Sequence, residues 1–344
     1  MIQVINKLRM INFLLDTITL YCYTLYMSQE KRKIANNKCE IIREVPEACC
    51  DEQKAVEFLE KLRWGGNPYC PHCGSVDVYQ MRKRGTNERN ARFLWRCNDC
   101  NKQFTVRIGT VFEDSRIPLK HWCYAFWAAC ASKKGVSALQ IQRMTGLCYK
   151  STLFMMHRIR YAMSNDIANP PKLNGTVETD ETYVGGKPRY RFTRKCGHGT
   201  EKAMVFGMLQ RDGEVRATHF KSILQKDIKK QMLDCIDIDS RLITDSWILY
   251  RKIGKPFRQH NMVKHSEGEY VRGDVYTNSI ESFFALLKRG VYGTFHSVSK
   301  KHLHRFVGEF QFRYNTRQDG DGERLRKAIR NGVGKRLTYR QQVS

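Results

Sequence analysis

The sequence lacks an uninterrupted apolar run long enough to cross a lipid bilayer. Its most membrane-like stretch, residues 1–26, is broken by Asn12 and Asp16 and is followed by no small-residue cleavage site. A spanning helix needs about 20 consecutive apolar residues, and a secretory signal needs a cleavage site. We therefore expect no membrane association. We interpret residues 1–45 as a leader. The second methionine, Met27, favours an upstream extension of the true start over a signal or anchor, and Met1 is the alternative start.

Acidic residues are also scarce. The 344 residues include 34 Asp and Glu against 60 Lys and Arg, which gives a formal net charge of +26 at pH 7. An excess of this size favours a polyanionic partner, because each phosphate that a cation neutralises releases condensed counterions. A solubility coat or an anionic membrane surface would need the same charge. Of these partners, the composition favours nucleic acid.

The cysteines do not form the even set expected of a disulfide framework. There are 13 of them, and four fall in two C-x-x-C pairs: Cys70, Cys73, Cys97 and Cys100. Paired thiols at this spacing, without a clear export signal, indicate a reducing compartment and metal ligation by thiolates.

The two C-x-x-C pairs predict a zinc ribbon. A tetrahedral Zn²⁺ takes four thiolates, and each pair can supply two from a tight turn. The interval from Cys73 to Cys97 is longer than usual, but the segment KRGTNERNAR within it is typical of a hairpin tip. A redox pair is the alternative for either C-x-x-C alone. We predict a domain over residues 46–115, with an amphipathic helix capped by Asp51 and a ribbon folded by structural Zn²⁺.

Residues 116–168 have helical periodicity throughout. A short helix around Leu139 to Met144, a turn at Gly146 and a second helix from about Lys150 give the layout of a helix-turn-helix. The alternative is a helical hairpin that only packs. In a DNA-binding unit, the start of the second helix would contact DNA. The residues there are Lys150, Ser151 and Thr152.

The pattern changes after a linker at residues 169–175, which is rich in proline and glycine. Over residues 176–317 we predict three strands in a meander, a helix, a further strand and a helix. This order is typical of an α/β domain with a mixed sheet flanked by helices. Residues 318–344 are predicted to form a basic tail.

Three acidic residues in the α/β domain predict a metal site. Asp180 and Asp245 lie within or at the end of apolar strands, and Glu281 is near the start of an amphipathic helix. Carboxylates brought together from such elements cannot all stay ionised at neutral pH without a cation. Mg²⁺ prefers hard oxygen ligands. A pair of such ions can activate a water or a 3′ hydroxyl and stabilise the leaving oxygen in an in-line displacement at phosphorus.

Longer segments carry a specific resemblance. TDETYVGGK, ITDSW, HSEGEYVRGDVYTNSIESFFALLKRGVYGTFHSVSKKHLHRF and FQFRYNTR resemble the catalytic domain of DDE-superfamily bacterial insertion-sequence transposases, in the zinc-ribbon group related to Merlin elements. The ribbon and the segment MTGLCYKSTLFMMHRIR are similar to the N-terminal region of the same group. The likeness runs from about residue 46 to residue 340. It implies a ribonuclease-H-like catalytic domain and metal-dependent cutting and joining of DNA at the terminal inverted repeats of an element.

The resemblance assigns roles to the acidic residues. It makes Asp180 and Asp245 the first and second carboxylates that bind Mg²⁺ or Mn²⁺. We favour Glu281 as the third, because a further negative ligand binds a divalent cation better. Asn278 is the alternative, since some members use asparagine there, and it lies one turn earlier on the same helical face.

Basic residues near these acids are expected to contact DNA. Lys288 follows Glu281 by two turns on the same face and would bind the DNA backbone. Lys300 and Lys301 lie in the basic segment that follows. The resemblance also implies double-stranded DNA of the terminal repeats and of the target as partners, and a homo-oligomer in the nucleoprotein complex. It implies action in the cytoplasm, in association with the nucleoid.

The neighbours of Asp180 receive different predictions. Because side chains alternate along a strand, Glu181 is expected to face away from Asp180. Glu178 shares the face of Asp180 and is a better candidate for an auxiliary ligand than Glu181, but a solvated acid is the favoured interpretation. The sequence also departs from the group: Tyr276 stands where we expect histidine, and Lys264 where we expect asparagine.

Two other functions are compatible with the sequence. An inactivated transposase or other non-catalytic DNA-binding protein would keep the ribbon and the helix-turn-helix, and its acids would not need to converge. A metal-dependent nuclease would share the acids and differ only in its products, which would contain no joined strands.

Overall fold

The computed structural model describes residues 44–164, 170–185, 202–220, 224–264, 267–269 and 271–343. The predicted leader lies almost entirely outside the described residues, and residue 169 of the predicted linker lies outside them too. None of the helices within these ranges combines the length and the hydrophobicity needed to cross a bilayer.

The N-terminal unit is a helix followed by a small sheet. Helix α1 (Glu52–Trp64) begins at Asp51, whose side chain accepts a 2.8 Å hydrogen bond from the Lys54 backbone, and it ends at Gly65 with a positive φ of 59°. Its apolar face is buried, as predicted. The antiparallel sheet consists of β1 (Val78–Gln80), β2 (Trp95–Cys97) and β3 (Gln103–Phe104), in that order.

Three helices follow the ribbon. Ser137 caps the second of them by accepting a hydrogen bond from the Gln140 backbone, and Gly146, with a φ of 70°, ends it. The predicted layout of a short helix, a glycine turn and a longer helix is therefore present. The helices are α2 (Leu119–Ala131), α3 (Ala138–Thr145) and α4 (Tyr149–Met163).

The α/β domain is built on a mixed five-stranded sheet. Its spatial order is β6-β5-β4-β7-β8; β4 pairs antiparallel with β5 and parallel with β7. This confirms the predicted fold class. The strands are β4 (Thr176–Val184), β5 (Ala203–Gln210), β6 (Val215–Phe220), β7 (Arg241–Asp245) and β8 (Gln259–Val263).

Helices cover both faces of this sheet. On one face, Met204 and Phe206 of β5 pack with α5 (Gln225–Cys235) and α6 (Ile248–Ile253). On the other, Val205 and Leu209 pack with α7 (Asn278–Gly290) and α8 (Leu303–Asn315). The strands are apolar on both sides because both sides are covered. A short hairpin of β9 (Val271–Arg272) and β10 (Val275–Tyr276) precedes α7.

The C-terminal residues are folded rather than a tail. Residues 318–344 were predicted as a basic tail, but they include α9 (Asp321–Arg330) and α10 (Tyr339–Val343). Leu325, Ala328 and Ile329 are buried in the same core as the ribbon and its helices. These positions follow the i, i+3, i+4 spacing of one helical face. Charged residues surround them, which is why the segment was interpreted as a basic tail.

A buried ionic triad joins α4 to α8. Glu309 of α8 accepts a 2.8 Å hydrogen bond from Arg160 of α4 and a 2.6 Å bond from Arg313. Arg313 also donates to the Ser132 carbonyl, beyond the end of α2. All three side chains are almost fully buried. The helix-turn-helix segment is therefore fixed to the α/β domain by charges that are costly to separate.

Glu178 fixes the start of α7 against β4. Its carboxylate is fully buried and accepts hydrogen bonds from the Ser279 and Ile280 backbones at 3.0 and 3.1 Å and from Arg211 at 2.8 Å. A carboxylate at a helix N-terminus satisfies free N–H groups and the helix dipole. The predictions for Glu178, auxiliary ligand or solvated acid, were therefore wrong. Its oxygens already hold a helix and an arginine.

Replacing Glu178 by Ala should lower the free energy of unfolding by about 3–5 kcal/mol, because it leaves the Arg211 charge and two buried N–H groups without their partner. Urea denaturation of the full chain measures this. Glu267→Ala removes one partner of an exposed pair with Lys264 and should cost less than about 1 kcal/mol. Equal costs for the two variants would show that the Glu178 contacts do not stabilise the fold.

Candidate active site

Strand register brings Asp180 and Asp245 side by side. In the parallel pair of β4 and β7, Thr179 lies opposite Thr244. The next residue of each strand is the aspartate, at the point where β7 ends. Neighbouring strands are about 4.8 Å apart, so two such carboxylates point the same way at close range. The pairing of β4 with β7 thus brings the two predicted acids close together.

A third carboxylate joins this pair. Oxygens of Asp180, Glu181 and Asp245 all lie within 4.8 Å of one another. The expectation that Glu181 would face away was therefore wrong for its carboxylate. Tyr250 of α6 donates a 2.6 Å hydrogen bond to Glu181 Oε2. We attribute the position to the length of the glutamate side chain and to this bond, neither of which strand alternation takes into account.

The two aspartates are held by backbone groups close to them in sequence. Asp180 Oδ1 accepts a hydrogen bond from the Glu181 backbone at 2.8 Å, and Asp245 Oδ1 accepts one from the Trp247 backbone at 3.0 Å. Each side chain is partly buried. The arrangement offers several carboxylate oxygens to one point, which suits a hard divalent cation.

Burial and mutual repulsion raise the pKa values of the Asp180 and Glu181 carboxyl groups. Burial, followed by the charge of Glu181, raises the pKa of Asp180 from 3.8 to about 8, and Asp245 and Glu281 contribute in the same direction. Burial likewise raises the pKa of Glu181 to about 7, and Asp245 adds to it. The negative forms are thus unfavourable in the protein alone, and a bound cation would favour them.

These shifts predict how the stability of the metal-free protein depends on pH. Between about pH 4 and pH 8 the folded state binds more protons at Asp180 and Glu181 than the unfolded state does. The free energy of unfolding should therefore fall as pH rises, by up to about 1.4 kcal/mol per pH unit for each such proton. Asp180→Asn removes one of these protons, so its stability should increase relative to the unmodified protein from about pH 5 to pH 8.

The measurement for this prediction is urea denaturation in EDTA-free, metal-depleted buffer across that pH range. The difference between the two proteins cancels the pH effects that they share. Parallel stability curves would contradict the raised pKa of Asp180.

Helix α7 carries the other predicted site residues. Asn278 and Glu281 lie in its exposed first turn, and the Thr277 hydroxyl donates a 2.9 Å hydrogen bond to Glu281 Oε1. Among the described residues, the 4.8 Å cluster does not include Glu281, although its charge is close enough to raise the pKa of Asp180. Lys288, half-buried, follows two turns later. The helix thus places the charge of Glu281 near Asp180.

A glycine lets α7 approach the sheet. Gly207 of β5 lies opposite Asp180 on β4, and a Cβ at this position would lie 2.7 Å from Ile280 Cδ1 and 2.9 Å from Phe284 Cζ. A Cβ here would force the Ile280 and Phe284 side chains of α7 to shift. The glycine therefore lets these two side chains pack closely on β5.

Arg211 and Tyr276 form a support that the sequence did not predict. The Arg211 guanidinium lies 3.8 Å from the Tyr276 ring centroid and donates to the carbonyls of Asp274 and Tyr276 at 2.8 and 2.9 Å. The tyrosine that replaces the expected histidine thus stacks on the arginine that holds Glu178. Arg211 follows β5 in sequence, with no motif to indicate its role.

The predicted DNA contacts differ in exposure. Lys150, Lys300 and Lys301 are exposed, and Ser151 is half-buried. Thr152 is fully buried, and its hydroxyl donates a 3.1 Å hydrogen bond to the Cys148 carbonyl. Thr152 is therefore not available to DNA, and its prediction is corrected. It lies on the inward face of α4.

The four predicted cysteines form one cluster. Cys70 Sγ lies 3.6 Å from Cys100 Sγ, and Cys73 Sγ lies 3.6 Å from Cys97 Sγ. Four thiolates about 2.3 Å from a tetrahedral zinc would be about 3.8 Å apart. The His72 backbone donates to Cys70 Sγ at 3.4 Å while its side chain is exposed. The geometry and chemistry of this donor set fit Zn²⁺.

A mixed sheet with paired aspartates at neighbouring strands, preceded by a four-cysteine ribbon, defines the class of ribonuclease-H-like DDE proteins. Residues 172–315 match the ISXO2-like transposase domain, and residues 50–103 match the transposase zinc-ribbon domain. The two matches together cover more than half of the chain. The protein belongs to this family of zinc-ribbon insertion-sequence transposases.

Two further comparisons give individual relatives. The chain is 29% identical over 277 residues to a protein of Halobacterium salinarum described as an uncharacterized protein in transposable element ISH50; the match covers 76% of this chain and 90% of that protein. A cryoEM structure of the simian T-cell lymphotropic virus intasome in complex with PP2A regulatory subunit B56 gamma aligns with 54% of this chain and 64% of the other, at 12% identity. The TM-score of this alignment is 0.26.

Proposed function

We propose that the protein binds the terminal inverted repeats of an insertion sequence and catalyses metal-dependent DNA cleavage and strand transfer. The observation that carries this proposal is the convergence of Asp180, Glu181 and Asp245 oxygens within 4.8 Å, in a chain that belongs to a transposase family. Several carboxylates at one point are unfavourable unless they hold a cation.

Asp180 and Asp245 would hold Mg²⁺ or Mn²⁺. A bound divalent ion would lower the pKa of the attacking water or 3′ hydroxyl and would stabilise the negative charge on the leaving oxygen. The third ligand is Glu281 or, alternatively, Asn278; the proximity of Glu181 makes it a further candidate. Tyr250 would orient Glu181 toward the cation by its hydrogen bond.

The remaining residues would position DNA. Lys288 would contact the DNA backbone near the acids, because it follows Glu281 by two turns on the same face of α7. Lys150 and Ser151 at the start of α4, and Lys300 and Lys301 before α8, would bind phosphates. The ribbon and the helix-turn-helix would locate the terminal repeats, and residues 176–317 would perform the phosphoryl transfer on end and target DNA.

The cellular setting is part of the same proposal. All ten cysteines in the described part of the chain are free, which is typical of a reducing compartment. We infer that the protein acts on DNA in the cytoplasm, at the nucleoid. It would act there as a homo-oligomer within a nucleoprotein complex.

The two alternatives predict different results. A non-catalytic DNA-binding protein does not require converging acids, so the cluster supports the enzyme. A metal-dependent nuclease would use the same cluster and release free ends only.

A strand-transfer assay tests the proposal. Purified full-length protein would be mixed with a labelled duplex from the end of its own element, a target plasmid and MgCl₂. Joined label in the plasmid supports transposition. Cleaved ends without joined product would favour the nuclease, and sequence-specific binding without either product would leave a DNA-binding protein.

A further inference from the structure

A hairpin projects from the zinc ribbon beyond β1 and β2. The Met81 backbone donates a 2.9 Å hydrogen bond to the Leu94 carbonyl, so the pairing of the two strands continues past their ends. Nearer the tip, the Lys83 backbone donates a 2.9 Å hydrogen bond to the Glu88 carbonyl. We call residues 81–90 the ribbon hairpin. These bonds make it a two-stranded antiparallel ribbon.

The ribbon hairpin buries little of its own surface. Residues 82–88 are all exposed, and none of residues 81–90 belongs to the apolar core that contains Cys70 and Cys97. Ordering a peptide backbone costs conformational entropy, and the burial of apolar surface does not offset that cost here. A contribution to the stability of the zinc ribbon therefore does not explain the hairpin, whereas contact with a partner would.

The base of the hairpin is fixed to α1. Glu60 of α1 accepts a 2.7 Å hydrogen bond from Trp95 Nε1 and forms an ion pair with Arg89. The Arg89 guanidinium also lies 5.3 Å from the Phe93 ring centroid and 5.8 Å from the Trp95 ring centroid. These contacts hold the direction in which the hairpin projects from the rest of the unit.

The ribbon hairpin carries positive charge without a counter-charge. Arg82 lies directly opposite Arg89, and like charges in such positions destabilise a pair of strands. Arg89 has its acidic partner in α1. Among the residues that the structure describes, neither Arg82 nor Arg84 has a hydrogen bond or an ion pair through its side chain. The one acid in the hairpin, Glu88, pairs with Lys83. A polyanion is the partner that this arrangement fits.

The dimensions of the hairpin favour one groove of DNA. Its strands are about 4.8 Å apart, and a two-stranded ribbon with its side chains fits the major groove, which is about 12 Å wide. The minor groove is only about 6 Å wide and does not admit such a ribbon. From residue 82 to residue 85 an extended chain rises about 10 Å, which is close to the depth of the major groove, about 8.5 Å. The tip would therefore reach the base edges.

We propose that the ribbon hairpin enters the major groove of double-stranded DNA and that Arg82 and Arg84 contact guanine there. A guanidinium can donate two hydrogen bonds to O6 and N7 of guanine, which is the commonest specific contact in this groove. That the duplex is a terminal repeat of the element rests on the proposed function; the groove and the base do not. Zinc would act indirectly, by holding the strands from which the hairpin extends.

Binding of two duplexes to the full-length, zinc-loaded protein tests this proposal. At 0.15 M salt, Arg82→Gln and Arg84→Gln should each weaken binding to the terminal repeat about tenfold, with a much smaller effect on a random duplex of the same length. Arg258→Gln changes an exposed arginine just before β8 and should leave both affinities unchanged. Equal weakening on the two duplexes would indicate phosphate contacts only and would overturn the assignment to the groove. Unchanged binding to both would overturn any role of the hairpin.

A modified base gives the test a second arm. In 7-deazaguanine a carbon replaces N7, so the base pair and the minor groove stay the same while one major-groove acceptor is lost. Placed at one guanine of the terminal repeat at a time, it should weaken binding of the unmodified protein about tenfold at the contacted guanines. The double variant Arg82→Gln, Arg84→Gln should not respond at those guanines. Equal responses of the two proteins at every guanine would overturn the proposal.

The variants should fold normally, because the two side chains make no contact with other described residues. Zinc content and melting temperature should therefore match those of the unmodified protein. None of the binding measurements requires cleavage or joining of DNA. Loss of specific binding in a protein that proves inactive in strand transfer would support the hairpin proposal and overturn the enzymatic one. Normal specific binding by the variants of an active transposase would overturn the hairpin proposal alone.

Discussion

Asp245→Asn should reduce the rate of strand transfer by a factor on the order of 10³ or more. The substitution keeps the shape of the side chain and removes one negative ligand from the Asp180, Glu181 and Asp245 cluster. A metal ion contributes several kcal/mol of charge stabilisation to phosphoryl transfer, and about 1.4 kcal/mol corresponds to a factor of ten in rate. Binding of the terminal repeat should change little.

The measurement is the yield of joined product over time with MgCl₂ or MnCl₂. Asp234→Asn changes an exposed aspartate on α5 and should retain full activity. The melting temperature adds an independent readout, because Mg²⁺ should stabilise the unmodified protein and should stabilise Asp245→Asn much less. Activity within tenfold of normal would rule out Asp245 as a metal ligand.

The same assay identifies the third ligand. Glu281→Gln, Glu181→Gln and Asn278→Ala test the three candidates. The true ligand should show a loss close to that of Asp245→Asn and a partial recovery at high Mn²⁺ concentration, because a weakened site can be filled by mass action. A residue that only supports the site should show a smaller loss that metal concentration does not change.

Removing zinc should unfold the ribbon. In small zinc domains the metal contributes about 10–16 kcal/mol of apparent binding free energy, and this is folding free energy. Cys97→Ser should therefore disrupt β1, β2 and β3. Trp64 and Trp95, whose rings meet edge to face at 5.7 Å, should become solvated, with a red shift of tryptophan fluorescence. Specific binding to the terminal repeat should be lost as well.

Two measurements accompany this variant. Metal analysis of the unmodified protein should find one zinc per chain, and release of zinc by a chelator should follow the fluorescence change. Cys148→Ser alters an exposed cysteine outside the cluster and should change neither. A folded ribbon in zinc-free Cys97→Ser would show that the apolar core alone holds this unit.

Local patterns were sufficient to predict the fold class and the principal acids. Continuous apolar runs predict strands that are covered on both faces, and Asp180 and Asp245 stand out as acids within or at the end of two such runs. The two C-x-x-C pairs predict their own cluster because a zinc site constrains spacing within a short segment. Each of these signals lies within a few residues of the feature that it predicts.

The predictions that failed depend on contacts between distant segments. Glu181 joins the acids through Tyr250, 69 positions away. Glu178 binds backbone N–H groups of a helix that begins 100 residues later. Thr152 faces inward because α4 packs on that side. Residues 321–330 form a core helix whose apolar positions are few and surrounded by charge. Single-sequence patterns carry no information on which residues such side chains will meet.

The triad of Arg160, Glu309 and Arg313 has a mechanical consequence. Within the part of the chain that the structure describes, it ties the helix that would read the element's end to α8, which packs on the sheet that would cut it. A DNA end that is bound by α4 must therefore be carried to the acids by bending of the DNA or by movement of one whole subunit against another. On this view a subunit could recognise one end and act on the end that its neighbour holds.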